Sequence, residues 1–188
     1  VKEMEIQRNR ARAAHHSTDY MGVDDNLYRL IETHMTTEFL GYDTLESESQ
    51  ILLMIKDSKQ VDFVQEGEQV IVVLDQTPFY AESGGQIADK GILVGEKGTM
   101  EVCDTQKVFG DKIIHQGNII HGTMKQGETI KAKVDKEARL STARGHTATH
   151  LLHQSLKKVL GPHVEQAGSL VTPEHLRFDF SHFAPLTQ

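Results

Sequence analysis

The chain has 188 residues, which is more than one typical domain and less than two, and is long enough to bury a sizeable core. Hydrophobic residues make up 38% and charged residues 25%, a balance that excludes a disordered or collagen-like chain. The net charge is −7, and the single cysteine, Cys103, excludes an internal disulfide framework and a multi-cysteine zinc site built from this chain alone.

Apolar runs are short throughout the sequence. The longest, residues 51–55 and 70–74, have about five residues each, whereas a membrane-spanning helix needs about 20. No charged segment followed by an apolar one opens the chain, so no signal peptide is visible. We therefore expect a soluble, cytoplasmic protein with no membrane partner.

The negative charge is distributed unevenly. Residues 1–18 sum to +2 and residues 136–160 to +4, whereas residues 19–135 sum to −11. A polyanion would meet two local basic stretches rather than a basic protein. Solvated helix faces on an ordinary acidic protein give the same pattern, so charge alone leaves both interpretations open.

The first 38 residues predict a helix and a linker. Residues 1–15 contain neither Gly nor Pro and are rich in helix formers, which predicts a helix. Its few apolar residues favour the end of a longer helix that starts before this chain. Turn residues at 17–26 surround a short apolar stretch, which indicates a linker with one or two helical turns.

Residues 39–135 have the pattern of an all-β domain. Short segments rich in Val and Ile are separated by Gly- and Asp-containing turns, with no helical segment between them. This spacing predicts a β-barrel or a β-sandwich. The predicted strands cover residues 51–56, 60–64, 68–75, 91–94, 99–104, 112–118 and 129–134.

The pattern changes to helix at Asp135, whose side chain is expected to cap the first turn. Gly145 is expected to break or kink this helix, and Gly161 with the proline after it ends the second part. Two strands, 164–171 and 175–180, are predicted to follow. One helix and two strands form half of an α+β layer, so we expect an incomplete second domain over residues 136–188.

The most distinctive chemical pattern is His146 and His150, four residues apart on the predicted helix. Their Cβ atoms lie ~6 Å apart on one face, so both imidazoles can hold one Zn²⁺. His153 leans to the same side. Thr147 stands where metalloproteases carry a general-base Glu, which excludes that class. With 11 histidines the spacing also arises by chance, so a structural histidine pair remains the alternative.

A second candidate is the segment over residues 77–86, which contains the only Gly-Gly pair of the chain, Gly84 and Gly85. Glycine backbone can approach a phosphate or nucleotide closely, with its N–H groups as donors. Neither a P-loop nor a dinucleotide fingerprint is present. A hairpin turn with aromatic plugs is the alternative.

A third candidate is the polar face of the two predicted C-terminal strands. Beside the histidine helix, Gln166, Ser169, Arg177 and Asp179 would line one cleft. Arg177 suits a phosphate or Asp179, and Gln166 suits a small hydroxyl or amine. An ordinary sheet with one polar face is the alternative. No nucleophile–base–orienter trio is legible, so the catalytic residue stays unknown.

Together these pieces resemble the alanyl-tRNA synthetase family over essentially the whole chain. The matching motifs are QRNRARAA near the start, FLGYDTLE at 39–46, LDQTPFYAESGGQIADKG at 74–91, HTATHLLHQSLKKVLG at 146–161 and EQAGSLVTPEHLRFDFSH at 165–182. The order and spacing of five motifs are far more specific than any one of them.

The resemblance implies three regions of an α+β fold. Residues 1–38 would be the end of the tRNA-recognition region, and residues 39–135 a translation-protein-type β-barrel. Residues 136–188 would be the first half of the editing core shared with the free-standing AlaX deacylases. The family joins alanine to tRNA(Ala) with ATP and Mg²⁺, through a catalytic domain outside these residues. Its editing region hydrolyses seryl- or glycyl-tRNA(Ala).

The resemblance also implies roles for single residues. The family's editing zinc is held by an HxxxH pair, matched by His146 and His150, and by a CxxxH pair that nothing here matches, so we expect an incomplete zinc site and weak or no activity. Gln166 matches a position of the editing pocket. Ser83, Gly84, Gly85 and Gln86 match the family's glycine-rich motif beside that pocket. Together with Arg177, whose role follows from its charge alone, they are expected to bind tRNA.

Selection of serine over alanine is expected to use hydrogen bonds. One methyl group changes binding by only ~1–3 kcal/mol, so pocket size discriminates poorly. We therefore expect Gln166 and the hydroxyls of Thr147 and Thr149 to select the substrate. The alternatives are a non-catalytic tRNA-binding module and a free-standing AlaX-type trans-editing deacylase.

Overall fold

The structure, a computed structural model, describes residue 31 and residues 36–108 and 112–186. The helix predicted over residues 1–15 and most of the predicted linker lie outside the described residues. The described chain folds into strands β1 (Glu38–Phe39), β2 (Glu46–Lys56), β3 (Lys59–Gln60), β4 (Phe63–Gln65), β5 (Gln69–Leu74), β6 (Gln76–Thr77), β7 (Gly91–Val94), β8 (Gly98–Val108), β9 (Lys112–Lys125) and β10 (Thr129–Val134), helix α1 (Lys136–Leu160), and strands β11 (Gln166–Val171) and β12 (Leu176–Phe180).

Six antiparallel strands close into a barrel. The strand order is β10-β7-β8-β9-β5-β2, and β2 pairs back with β10 to complete the circle. Closure leaves no free edge among these six strands, so their backbone groups are paired within the barrel. The β-barrel predicted from the short Val- and Ile-rich segments is therefore confirmed, and the sandwich alternative is wrong.

The barrel core follows from strand alternation. In β5 the side chains of Val70, Val72 and Leu74 are buried inside, and Ile130 and Ala132 of β10 belong to the same core cluster. Burying one such large apolar side chain stabilises the fold by about 1.5–3 kcal/mol. A second apolar cluster contains Leu53, Ile55, Val73 and Ile114 and packs against Ile31.

Two barrel strands are longer than predicted. β8 and β9 extend over Gly98–Val108 and Lys112–Lys125, whereas the sequence pattern predicts only 99–104 and 112–118. Their pairing contains register shifts, which interrupt the alternation of apolar and polar residues without ending the strands. Gly122, which the sequence pattern places in a turn, lies inside β9 instead. Its φ of 64° makes it an irregular position of that strand.

Helix α1 begins and ends as predicted but does not break at Gly145. The Asp135 carboxylate accepts from the Ala138 N–H at 3.0 Å, and Gly161 follows the last helical residue. Of the two expected effects, a break or a kink, the break is wrong, because the helix is continuous over Lys136–Leu160. Gly145 serves packing instead. A Cβ at that position would lie 2.9 Å from Cγ1 of Val171, so the glycine allows close contact between helix and strand.

Strands β11 and β12 form the predicted hairpin and pack against α1. The hairpin turn is closed by a hydrogen bond from the Thr172 N–H to the His175 carbonyl at 2.9 Å. The Ser141 hydroxyl of α1 donates to the Pro173 carbonyl at 2.7 Å. Within the described ranges, no helix is both long and apolar enough to cross a bilayer.

Candidate functional site

The histidines His146 and His150 lie side by side on α1. Their ring centroids are 5.0 Å apart and the ring planes are tilted by 43°. Successive turns of an α-helix produce this proximity, because residues four apart share one face. The two imidazoles are therefore available as a pair to one ligand.

His146 is oriented by the barrel rather than by its own helix. Its Nδ1–H donates to Oε1 of Gln86 at 2.8 Å, and the Gln86 side chain is only 7% exposed. Since Nδ1 carries the hydrogen, Nε2 keeps its lone pair for a metal or another electrophile. A ligating histidine is commonly held in this way by a second residue. The sequence gives Gln86 a different candidate role, in tRNA binding.

Gln86 reaches the helix because it ends a tight turn, residues 83–86, called the glycine turn below. Backbone hydrogen bonds join Ser83 and Gln86 in both directions, at 2.9 and 3.2 Å. Gly84 and Gly85 have φ angles of 61° and 85°, in the left-handed region that favours glycine. The turn also runs beside β11, since the Val171 N–H donates to the Gly85 carbonyl at 2.8 Å.

The polar residues of β11 meet the same turn. The Gln166 side-chain amide donates to the Ser169 hydroxyl at 3.0 Å, and that hydroxyl donates to the Gly84 carbonyl at 3.4 Å. The structure therefore brings Gln166 to the edge of the glycine turn. Among the described residues, no hydrogen bond joins Gln166 to either histidine of the pair.

The two threonines between the histidines use their hydroxyl hydrogens inside the helix. Thr147 donates to the Ala143 carbonyl at 3.1 Å, and Thr149 donates to the Gly145 carbonyl at 2.9 Å. Each oxygen keeps acceptor lone pairs. Thr149 is buried and Thr147 is exposed, so only Thr147 faces a ligand arriving from solvent.

Arg177 lies on β12 and pairs with its own strand neighbour. Its Nε donates to Asp179 at 3.1 Å, and both side chains are exposed. Exposed ion pairs of this kind contribute ~0–1 kcal/mol to stability. Two partners are expected for Arg177, a phosphate or Asp179, and in the structure its guanidinium binds the Asp179 carboxylate.

Zinc needs more ligands than the histidine pair alone provides. A zinc site takes three or four protein ligands. Within the described ranges, no group of three His, Cys, Asp or Glu side chains is placed to hold an ion, so His146 and His150 do not complete a zinc site with other described residues. His153 packs on Phe178 at 5.2 Å between ring centroids, and its buried Nε2 has no hydrogen-bond partner.

A buried ion pair that sequence analysis missed joins α1 to the barrel. The Nε–H of Arg139 lies 2.8–2.9 Å from both carboxylate oxygens of Asp89. Its remaining N–H groups donate to the Gly41 carbonyl at 2.8 Å and the Pro78 carbonyl at 2.7 Å. Both side chains are largely buried. This clamp positions the helix start against the loops that lead to the glycine turn.

A family model described as tRNA synthetases class II (A) matches residues 1–138. The chain belongs to this family. Among curated relatives, the alanine–tRNA ligase of Acetivibrio thermocellus is 45% identical over 186 residues, which are 99% of this chain and 21% of that protein. The ligase of Listeria innocua is 48% identical over 99% of this chain and 21% of that protein. That of Methylococcus capsulatus is 46% identical over 99% of this chain and 21% of that protein.

These matches confirm the resemblance to alanyl-tRNA synthetases. The chain spans about a fifth of the length of the curated relatives it matches. It therefore corresponds to one segment of such an enzyme, the segment that contains the barrel, α1 and the hairpin.

Proposed function

We propose that this chain is the part of an alanine–tRNA ligase that contributes to hydrolytic editing, the removal of serine or glycine wrongly esterified to tRNA(Ala). The observation that carries the proposal is the hydrogen bond from His146 to Gln86, which links the histidine pair to the glycine turn. Ligation of alanine with ATP and Mg²⁺ belongs, in this proposal, to a domain outside these residues. The expected location is the cytoplasm.

In the proposed site, His146 and His150 contribute two of the zinc ligands, and the others come from outside the described residues. A zinc ion supplies polarisation of an ester carbonyl or ionisation of water. Gln86 fixes His146 in the tautomer whose Nε2 is free to bind, because its carboxamide oxygen accepts from Nδ1–H. This pre-orientation is what a purely structural histidine would not need.

The glycine turn is proposed as the surface that the RNA end approaches. A Cβ added at Gly84 would meet no atom within 4 Å, so the turn is open to solvent on that side. Gln166 and Ser169 stand at the edge of the turn and can accept or donate hydrogen bonds to a seryl hydroxyl or ammonium. In the same proposal, Thr147 contributes an exposed acceptor oxygen.

The proposed partner is tRNA(Ala), and the charge pattern supports an RNA. Residues 136–160 carry a local charge of +4 on an otherwise acidic chain. Lys157 and Lys158 lie in the last turn of α1. Basic side chains there would neutralise phosphates, which is the sequence-independent part of RNA affinity.

The decisive experiment transfers this segment into a complete enzyme. The matching 186 residues of the Listeria innocua ligase are replaced by this chain, and hydrolysis of seryl-tRNA(Ala) is measured. We expect Gln86→Leu to slow hydrolysis by about 10- to 100-fold, as loss of a histidine-orienting partner usually does. His146→Ala and His150→Ala are expected to slow it further.

Two controls make the result specific. His121→Ala removes an exposed histidine of β9, away from the pair, and should leave hydrolysis unchanged. Alanine charging should stay within twofold of the unsubstituted chimera in every variant, which shows that the enzyme is folded. Unchanged hydrolysis in both His146→Ala and His150→Ala would overturn the editing proposal.

A further inference from the structure

Three aromatic side chains, one exposed and two half-buried, form a cluster on one side of the barrel. The Phe39 ring lies 5.0 Å from the Tyr42 ring and 6.0 Å from the Tyr80 ring, with both neighbours close to edge-on. Tyr42 is 85% exposed, so most of its ring faces solvent. Large exposed aromatic groups are enriched at binding surfaces because they supply contact area at a small loss of conformational entropy.

The aromatic cluster forms one wall of a cavity of about 210 Å³. Cavities for drug-sized ligands measure roughly 300–1,000 Å³, so this one suits a single flat ring system. Besides the three aromatic residues it is lined by Ala81, Glu82, Ser83, Lys107 and Ile113. The cavity therefore combines stacking surfaces with a few polar groups.

The cavity wall is held in place before any ligand binds. Arg139 donates to the carbonyls of Gly41 and Pro78, which hold the backbone beside Tyr42 and Tyr80. The Tyr80 N–H also donates to the carboxylate of Asp89 at 2.7 Å. A ligand would therefore lose little free energy to ordering this backbone.

One polar group of the cavity is oriented as a hydrogen-bond acceptor. The Glu82 backbone N–H donates to the Thr105 carbonyl at 3.0 Å, and one carboxylate oxygen accepts from the Gln106 side chain at 2.9 Å. A carboxylate has further lone pairs for a ligand N–H. Glu82 and Lys107 bring opposite charges to the cavity, so its lining suits a neutral ring with an amino group.

The cavity and the histidine pair stand at the two ends of the glycine turn. Ser83 lines the cavity, and Gln86, at the other end of the turn, contacts His146. The paired backbones of these two turn residues are ~5.5 Å apart, the usual spacing of a hydrogen-bonded antiparallel pair. A ligand with a ring in the cavity can therefore extend past the turn toward the histidines.

We propose that this cavity binds the terminal adenine of an aminoacylated RNA end. The base stacks on the aromatic cluster, its exocyclic amino group donates to Glu82, and the ribose ester extends along the glycine turn toward His146. This inference rests on the proposed function, since the ester is the bond that editing hydrolyses. It adds a base-recognition subsite formed by Phe39, Tyr42, Tyr80 and Glu82.

The test measures binding of RNA hairpins to the 188-residue chain by fluorescence anisotropy. The hairpins carry a 5′ fluorophore and a single-stranded 3′ end whose last nucleotide bears adenine, purine without the amino group, or no base. We expect the abasic RNA to bind roughly tenfold more weakly than the adenine RNA, because stacking of one base contributes at this scale. The purine RNA should lie between them.

Three variants assign the effect to the cavity, and a fourth serves as the control. Tyr42→Ala should abolish the difference between adenine and abasic RNA, and Tyr42→Phe should keep it. Glu82→Ala, which removes the acceptor, should abolish the difference between adenine and purine RNA and keep the difference between purine and abasic RNA. Phe183→Ala removes another aromatic ring, 86% exposed and stacked on His163, and should change nothing.

The outcomes separate this inference from the editing proposal. If Tyr42→Ala keeps the full difference between adenine and abasic RNA, the subsite is wrong, whatever the chimera hydrolyses. The subsite is also wrong if a peptide with a trimethylammonium group binds the wild type but not Tyr42→Ala, while RNA binding is the same in both proteins. The two proposals can also separate in the other direction. If RNA binding depends on the terminal base only when Tyr42 is present, but hydrolysis is unchanged in His146→Ala and His150→Ala, the subsite is supported and the editing proposal is wrong.

Discussion

His115 shows how one side chain can be polar and buried without being charged. It lies inside the protein with its ring 5.4 Å from Phe79. Its Nδ1–H donates to the Val72 carbonyl at 3.2 Å, and its Nε2 accepts from the Thr77 hydroxyl at 2.8 Å. Both ring nitrogens are therefore satisfied in the neutral form, and burial lowers the pKa of His115 to about 4.

A pH-dependent stability follows from this pKa. The unfolded chain binds a proton at His115 below about pH 6.5, whereas the folded chain does so only near pH 4, so stability falls as the pH falls through this window. We expect His115 to account for about 2 kcal/mol of the loss between pH 7.5 and pH 5. Urea unfolding of wild type and His115→Gln, which keeps a donor and an acceptor, measures it. Equal losses in both proteins would contradict the assignment.

At the scale of elements, Gly145 decides how closely helix and hairpin approach. Glycine inside a helix lowers stability by about 1 kcal/mol relative to alanine, so local propensity alone favours replacement. The close neighbour is a methyl group of Val171, which is buried and stiff, so an added Cβ forces a shift. Overpacking of this kind typically costs about 1–3 kcal/mol.

We therefore expect Gly145→Ala to lower the free energy of unfolding in the wild type but to raise it, by up to about 1 kcal/mol, in a Val171→Ala background. The second variant removes the methyl group that the new Cβ would meet, which leaves only the gain in helix propensity. Chemical denaturation of the four proteins gives the coupling energy. An alanine that stabilises both backgrounds equally would show that the contact is unimportant.

The elements that the sequence predicts well are those with local signals. Asp135 and Gly161 bound α1 because capping and helix termination depend on adjacent residues, and alternation identifies most barrel strands. The predicted break at Gly145 is wrong, because the glycine is required for close contact with Val171, which lies on another element and leaves no local signal. Local patterns also miss the register shifts that let β8 and β9 continue.

At the scale of the whole molecule, the candidate site is assembled from parts far apart in sequence. His146 and Gln86 are 60 residues apart, and the Arg139 clamp joins α1 to loops around Gly41 and Pro78. The motifs name most of these residues, but periodicity carries no information on which of them meet. Barrel closure and helix docking decide that, and the role of Gln86 as orienter of a histidine follows only from them.

The glycine turn is where barrel, helix and hairpin meet, and its two glycines offer a matched comparison. Both have positive φ, so alanine at either position is strained by roughly 1–2 kcal/mol. At Gly84 a Cβ meets nothing within 4 Å, whereas at Gly85 it would meet the Ser169 hydroxyl and backbone. Only Gly85→Ala should therefore separate the turn from β11.

Hydrogen exchange of the Val171 amide measures this separation, because that N–H donates to the Gly85 carbonyl. We expect Gly85→Ala to speed its exchange at least tenfold more than Gly84→Ala does, because the added clash is equivalent to more than about 1.4 kcal/mol. The Val72 amide in the barrel should exchange alike in both variants. Since Gln86 ends the same turn, Gly85→Ala should also loosen the hydrogen bond between Gln86 and His146. Equal exchange at Val171 in the two variants would mean that turn and hairpin are held together by other contacts.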